Sequence, residues 1–315
     1  MTVRSSLWLL TMLLPVALPP AMRPQGIQLS GGLDGRVTSL RVPDRERVRL
    51  EGSFLNIRKV WSDNLGDRWF GVAQADFDDN LRRIRPYQVY LQYKGPLGKW
   101  NVRAGHYLLP FGLLATYDTE RLLLQGLERT SLGIRKDSGI QVLGRFGSWD
   151  YAASVSNGLG DVKFVDSRAN PVVAGRLAHV SGDLQVGFST LMGSALIDRE
   201  FGIGQSRLRE RRFAIDTTKS FGPLTVRSEA MAGTDNGRAV GGGVFLGDYA
   251  LTPRWELNTR YAGWSREGAL HSAAVGLTCQ IRPGLFARAA QVREFGKENR
   301  NAFTLQLYYE FSRQF

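Results

Sequence analysis

The last fourteen residues, 302–315, read AFTLQLYYEFSRQF. Counting back by twos gives Phe315, Arg313, Phe311, Tyr309, Leu307, Leu305 and Phe303, all apolar but Arg313. The residues between are Gln314, Ser312, Glu310, Tyr308, Gln306 and Thr304, nearly all polar. This period of two is that of a strand with one apolar and one polar face.

The same alternation recurs upstream. In PYQVYLQYKG (86–95) it puts Tyr87, Val89, Leu91 and Tyr93 on one face and Gln88, Tyr90, Gln92 and Lys94 on the other. RWELNTRYAG (254–263) sets Trp255, Leu257, Thr259 and Tyr261 against Glu256, Asn258 and Arg260. Short turn signals such as KGPLGK (94–99), VSGD (180–183) and IRPG (281–284) separate some strands. Long connections such as NGLGDVKFVDSRAN (157–170) and GSALIDREFGIGQSRLRE (193–210) separate others. Short turns on one side and long loops on the other are the signature of an outer-membrane barrel. About sixteen strands are expected, starting near residues 27, 47, 67, 84, 99, 136, 149, 171, 183, 208, 223, 238, 254, 269, 284 and 302. Counts of fourteen to eighteen stay open.

Composition is compatible with this reading. The 315 residues are 43% hydrophobic with a mean hydropathy of −0.21. No internal run approaches the ~18 apolar residues of a spanning helix, but barrel strands turn only alternate residues to lipid. The 36 glycines and 10% aromatic residues suit many turns and interfacial rings. Cys279, the single cysteine, rules out an internal disulfide. The net charge of +12 comes mainly from arginines spread along the whole chain rather than gathered in a stripe, so no nucleic-acid partner is expected. The amino terminus MTVRSSLWLLTMLLPVALPPAM carries Arg4 and then an apolar run from Leu7 to Leu18, too short to span a bilayer. It reads as a signal peptide over residues 1–22, followed by a single barrel over 23–315.

In a membrane every backbone N–H and C=O needs a partner, so the strands must close on themselves. The expected fold class is an all-β, transmembrane, antiparallel up-and-down barrel in the outer membrane of a Gram-negative bacterium. Its last strand shows lipid its apolar face. Leu307, Tyr309, Phe311 and the terminal Phe315 resemble the carboxy-terminal signature of bacterial outer-membrane proteins, which implies recognition by the barrel-assembly machinery as well as contact with outer-membrane lipid.

A barrel of about sixteen strands leaves an aqueous channel. By strand parity Arg103, Arg145, Arg176, Arg212, Arg227, Arg260 and Arg288 point into it, with Asp76, Asp150, Asp216, Glu229, Glu256 and Glu310. Rings of arginine favour anions, whereas a balanced set can also form a cross-lumen salt-bridge lattice. The longest connection, Leu109 to Lys136, is apolar for an external loop. Either it folds inward, with Asp118, Glu120, Arg121 and Arg129 as constriction residues, or it packs as a lid on the outer rim. The expected function is a diffusion porin for small hydrophilic solutes, anionic or neutral. The alternative is a plugged, receptor-like or partner-filled barrel.

VRAGHYLLPFGL (102–113) and DSGIQVLGRFGSWDYAASVSNGLG (137–160) carry a family resemblance. Arg103, Gly105, Pro110, Phe111 and Gly112, then Asp137, Gly139, Gly144, Tyr151, Asn157 and Gly158, resemble the pattern of the phosphate-selective porin O and P family. The resemblance covers about residues 67 to 160. It implies a sixteen-stranded homotrimeric porin with an inward-folded loop. It does not establish phosphate as the solute, because only Lys136 marks the long loop as lysine-bearing.

No enzymatic constellation is evident. SVSNGLG (154–160) resembles the H-x-S-N-G of outer-membrane phospholipases, but Ser154 stands where a histidine should be, which leaves Ser156 without a base. His271 and Ser272 fall on opposite faces of a strand. No cofactor or metal site is expected.

Overall fold

The structure, a computed structural model, describes residues 23–40, 47–50, 52–64, 66–78, 80–119, 121–160, 169–197, 206–265, 269–296 and 299–315. The expected signal peptide and the loop residue Glu120 lie outside the described residues.

Among the described residues, seventeen strand segments build one sheet. They are β1 (Arg23–Leu40), β2 (Arg47–Leu50), β3 (Ser53–Asp63), β4 (Gly66–Asp78), β5 (Arg83–Lys94) and β6 (Asn101–Leu108). After the long loop come β7 (Lys136–Phe146), β8 (Trp149–Ser156), β9 (Val172–Ser181), β10 (Leu184–Ile197), β11 (Ser206–Phe221) and β12 (Leu224–Asp235). The chain ends with β13 (Arg238–Ala250), β14 (Trp255–Ser265), β15 (Ala269–Arg282), β16 (Leu285–Phe295) and β17 (Arg300–Gln314). β2 and β3 are successive halves of one barrel strand. Both run antiparallel to β1, with Leu50 opposite Gly35 and Phe54 opposite Gly32. The barrel therefore has sixteen strands, all antiparallel, and the expected starts fall within about four residues of the observed ones.

β17 closes the barrel on β1, from Gln314 opposite Gln28 to Ala302 opposite Leu40. Reciprocal backbone hydrogen bonds between Ile27 and Phe315, both 2.9 Å, seal the end of this seam. The terminal strand shows its two faces in the numbers: Leu305 and Leu307 are 47% and 55% exposed, while Gln306 between them is 3% exposed. The same alternation runs around the wall. On β11, Phe213 and Ile215 face out, and Glu210, Arg212 and Ala214 are buried within.

The start of β1, the end of β17 and the short turns share the side that is periplasmic in such barrels. Aromatic residues cluster there. Trp69, Tyr93 and Trp100 lie ring to ring at 5.0 and 5.5 Å, and Trp149 meets His179 at 4.8 Å. These are the amphipathic rings that favour the interfacial girdle of a membrane barrel.

One face assignment changes. β5 pairs Pro86 with Ala75 and Gln88 with Gln74, so Tyr87 is an extra, bulged residue. A bulge re-aims a side chain, and Tyr87 turns from the lipid face to the interior, where it is 1% exposed.

Candidate functional site: the loop across the lumen

Residues 109–135 leave β6 and return to β7. Two short helical turns, Gly112–Ala115 and Glu128–Ser131, give the segment local order. Its apolar residues cannot face water, and their partners are the inward faces of β9 to β14. Leu109, Phe111, Leu113, Leu127, Leu132 and Ile134 form one core with Val172, Ala174, Leu191, Ala214, Met231, Val244, Leu246 and Trp264. This half of the barrel interior is packed like the inside of a globular domain.

Polar anchors fix the loop at its entry. The Gly112 N–H donates to Ser189 Oγ (2.9 Å) on β10, and the Leu113 N–H donates to Glu229 Oε2 (2.7 Å) on β12. Gly112 has φ +53°, and a Cβ there would sit 2.6 Å from the same carboxylate. Only glycine allows that approach without strain.

At the loop's exit the Gly133 N–H donates to Glu210 Oε1 (2.6 Å) on β11. Arg212, fully buried, donates to the Ser131 carbonyl (3.2 Å) and the Thr234 carbonyl (2.8 Å) and pairs with the Asp235 carboxylate. Glu210 lies 3.6 Å from the same guanidinium. Within the loop the Thr119 hydroxyl donates to buried Glu128 (2.7 Å) and accepts from the Gly126 N–H (3.0 Å). Burial raises the Glu128 carboxyl above the ordinary carboxylate range, partly offset by the Thr119 bond.

On the opposite side the loop meets β4, β5, β14, β16 and β17. Arg260 donates to the Gln125 carbonyl (3.0 Å) and to Ser272 Oγ. Arg288 donates to the Arg121 carbonyl (3.1 Å) and to Gln306 Oε1 (3.0 Å). Gln306 Nε2 donates to the Arg121 carbonyl (3.2 Å) and to Asp34 (2.7 Å). Arg121 itself pairs with Asp76 (3.1 Å) and lies over the rings of Phe54 (4.0 Å) and Tyr87 (5.3 Å). The Tyr87 hydroxyl donates to Asp118 (2.6 Å). Arg129 stays exposed and bonds Gln125 within the loop (2.9 Å). The loop thus bonds to walls on both sides and lies across the interior.

These contacts divide the arginines singled out by parity. Arg176 and Arg212 point inward but are buried. Arg176 pairs with Asp216 at 2.5 Å, across Gly187 of the intervening strand. Arg227 pairs with Asp248 (2.5 Å) and lies 4.0 Å over the Tyr117 ring. Arg145 is exposed beside the 147–148 turn, paired with Asp150. Arg103 bonds neutral Gln92 (3.1 and 2.9 Å) and stacks 4.2 Å over Tyr90. Arg103, Arg260 and Arg288 thus have neutral hydrogen-bond partners, while Arg145, Arg176, Arg212 and Arg227 are tied to carboxylates.

At loop level the guanidinium also stands in front of its carboxylate. Side-chain exposure is 13% against 0% for Arg36 and Asp34, and 19% against 8% for Arg121 and Asp76. Between the loop and β13 to β16 lies a cavity of about 340 Å³ lined by Tyr117, Leu124, Asp248, Glu256, Asn258 and Arg288. Burial, with Asp248 nearby, pushes the Tyr117 phenol at its edge up to about 12, so it stays neutral there.

Parity could not find Tyr117, Gln125, Glu128, Ser189, Glu210 or Gln306, because their roles depend on where the loop lands. The sequence pattern of residues 103–112 and 137–158 has a structural meaning. Buried Asp137 accepts backbone N–H bonds from Gly158 (2.6 Å), Leu159 (3.2 Å) and Gly160 (3.0 Å). The Tyr151 hydroxyl donates to the Lys99 carbonyl (2.9 Å). Ser154 and Ser156 donate to backbone carbonyls, and Ser272 accepts from Arg260.

No protein family and no curated protein matches the chain by sequence, so membership of the phosphate-selective O and P type is not established. Solved structures do match. A loop L8 deletion mutant of OmpT, an outer membrane protein of Vibrio cholerae, aligns with TM-score 0.72 at 11% identity, covering 92% of this chain and 100% of that one. In-vitro folded OmpT of Vibrio cholerae, in its trimer form, aligns with TM-score 0.71 at 11% identity over 92% and 100%. An anion-selective porin from Comamonas acidovorans aligns with TM-score 0.70 at 12% identity over 92% and 100%. The chain therefore has the sixteen-stranded fold of these outer-membrane barrels along nearly its whole length.

Proposed function

We propose that this chain is an outer-membrane diffusion porin, not an enzyme. Residues 109–135 narrow its lumen, and small hydrophilic solutes pass with a mild preference for anions. The observation that carries the reading is the set of inward arginines. Arg36 and Arg121 screen their carboxylates from the lumen, and Arg103, Arg260 and Arg288 have neutral hydrogen-bond partners. A low-dielectric wall focuses the field of such a ring. The loop already fills the β9 to β14 half of the interior, which speaks against a sheath around a folded partner. The comparison structures support a homotrimer as the working assembly.

The test is the reversal potential of the purified, folded barrel in planar bilayers under a KCl gradient. Open channels with chloride-biased reversal are the expected result. Cation-biased reversal would refute the anion preference and leave the pore intact. Electrical silence from a verifiably folded barrel would refute the pore.

A further inference from the structure

The lipid-facing side of β11 carries an arrangement that the pore does not use. Phe213 and Ile215 mark its outward face, and Leu208, Glu210, Arg212 and Ala214 its buried face. By the same alternation Arg207, Arg209 and Arg211 occupy three successive outward positions at the end of the strand remote from the periplasmic turns, and all three are exposed. Arg207 donates to the Ser194 carbonyl (3.0 Å).

A guanidinium turned toward lipid is costly at the bilayer midplane and nearly free at the interface. Three in a row therefore fix this edge at the outer margin of the apolar band. Below them the outward wall is mainly apolar, with a recess on β13 and β14 whose lining also includes Ser265 and His271. Register places Arg211 one step above the row Phe213, Ala232, Gly241, Ser265, and that row lies above Ala230, Gly243 and Gly263. Phe245 and Tyr261 form the lower rim of an outward groove of about 460 Å³.

We propose that this face holds a phosphate-bearing, acylated lipid of the outer leaflet. Arg209 and Arg211 take its phosphates, and Phe213, Ile215 and the groove receive its acyl chains. Charge complementarity selects this occupant. Guanidinium groups match phosphate oxygens in paired hydrogen bonds, and the apolar outward residues of β11 and the recess on β13 and β14 lie on the same outer face, toward the periplasmic side of the cations in register. The site is independent of whether the lumen conducts.

The test is native mass spectrometry of the detergent-solubilised barrel, titrated with bisphosphorylated lipid A, monophosphoryl lipid A or phosphatidylethanolamine. The wild type and the R209E/R211E and R209K/R211K variants are compared, with heat-modifiable gel mobility confirming that each barrel is folded. Bisphosphorylated lipid A should bind the wild type at least about tenfold more tightly than folded R209E/R211E, from the loss of charge-assisted hydrogen bonds. Monophosphoryl lipid A and the lysine variant should fall between, and phosphatidylethanolamine should not discriminate. Equal retention of bisphosphorylated lipid A by folded wild type and R209E/R211E would overturn the proposal. So would a change of oligomeric state in lipid-free R209E/R211E without a change in lipid binding, which would assign the face to a contact between copies.

Discussion

Arg212→Met should release the loop's exit end. The wild-type guanidinium is fully buried and joins three things: the Ser131 carbonyl of the loop, the Thr234 carbonyl of the wall, and the carboxylates of Asp235 and Glu210. Methionine fills similar space but leaves both carboxylates without this cation. Breaking a buried charge pair from one side costs about 3–5 kcal/mol. If that cost falls on docking of residues 128–135, the docked-to-released ratio drops by about a hundredfold to several thousandfold. The other anchors, at Ser189 and Glu229 for the entry and Arg260 and Arg288 for the centre, keep the rest of the loop in place. The expected phenotype is therefore a noisier channel and faster protease cleavage near Arg129, not an empty barrel. The double variant R212M/D235L, which removes the tighter ion pair and leaves Glu210 bonded to the Gly133 N–H, should recover part of the loss. If R212M matched wild type in cleavage rate, channel noise and thermal unfolding, the loop would not be held by this cluster.

Three further outcomes follow from the same contacts. The raised Glu128 carboxyl favours its protonated form in the docked loop, so docking is strongest below the ordinary carboxylate pKa and weakens as pH rises through the raised value. Channel noise between pH 4 and 8 should show this trend in wild type and lose it in E128Q, which keeps an acceptor for Thr119. Reversing the lumen cations with R103E/R288E should move the reversal potential toward the cation side, and an unchanged potential would show that these residues do not set selectivity. Deleting Phe315 removes both hydrogen bonds to Ile27 at the closing seam and should lower the yield of heat-modifiable barrel in the outer membrane at least severalfold.

The strand pattern was legible because lipid on one side and an interior on the other force period two on each strand. That is why Phe303 to Phe315 alone suggested a closing strand. Two features of the wall were not legible. The barrel's second strand breaks between Leu50 and Ser53, and the bulge at Tyr87 turns that ring inward. Both are register events, invisible to parity. Parity also gives a face but not a depth. It pointed Arg176, Arg212 and Arg288 inward alike, yet loop and strand neighbours seal the first two while Arg288 meets the cavity. The loop's apolar composition was the one sequence clue that it needed a core; the left-handed Gly112 that lets it approach Glu229 emerged only in the structure.

The central claim is an open lumen narrowed by residues 109–135. Liposome swelling with neutral sugars of increasing size tests it most directly, comparing wild type with R212M. Wild type should pass sugars up to a size cut-off, and the cut-off should rise once the loop's exit end is freed. No sugar flux through folded wild-type barrel, or the same cut-off in both proteins despite released loop ends, would contradict it.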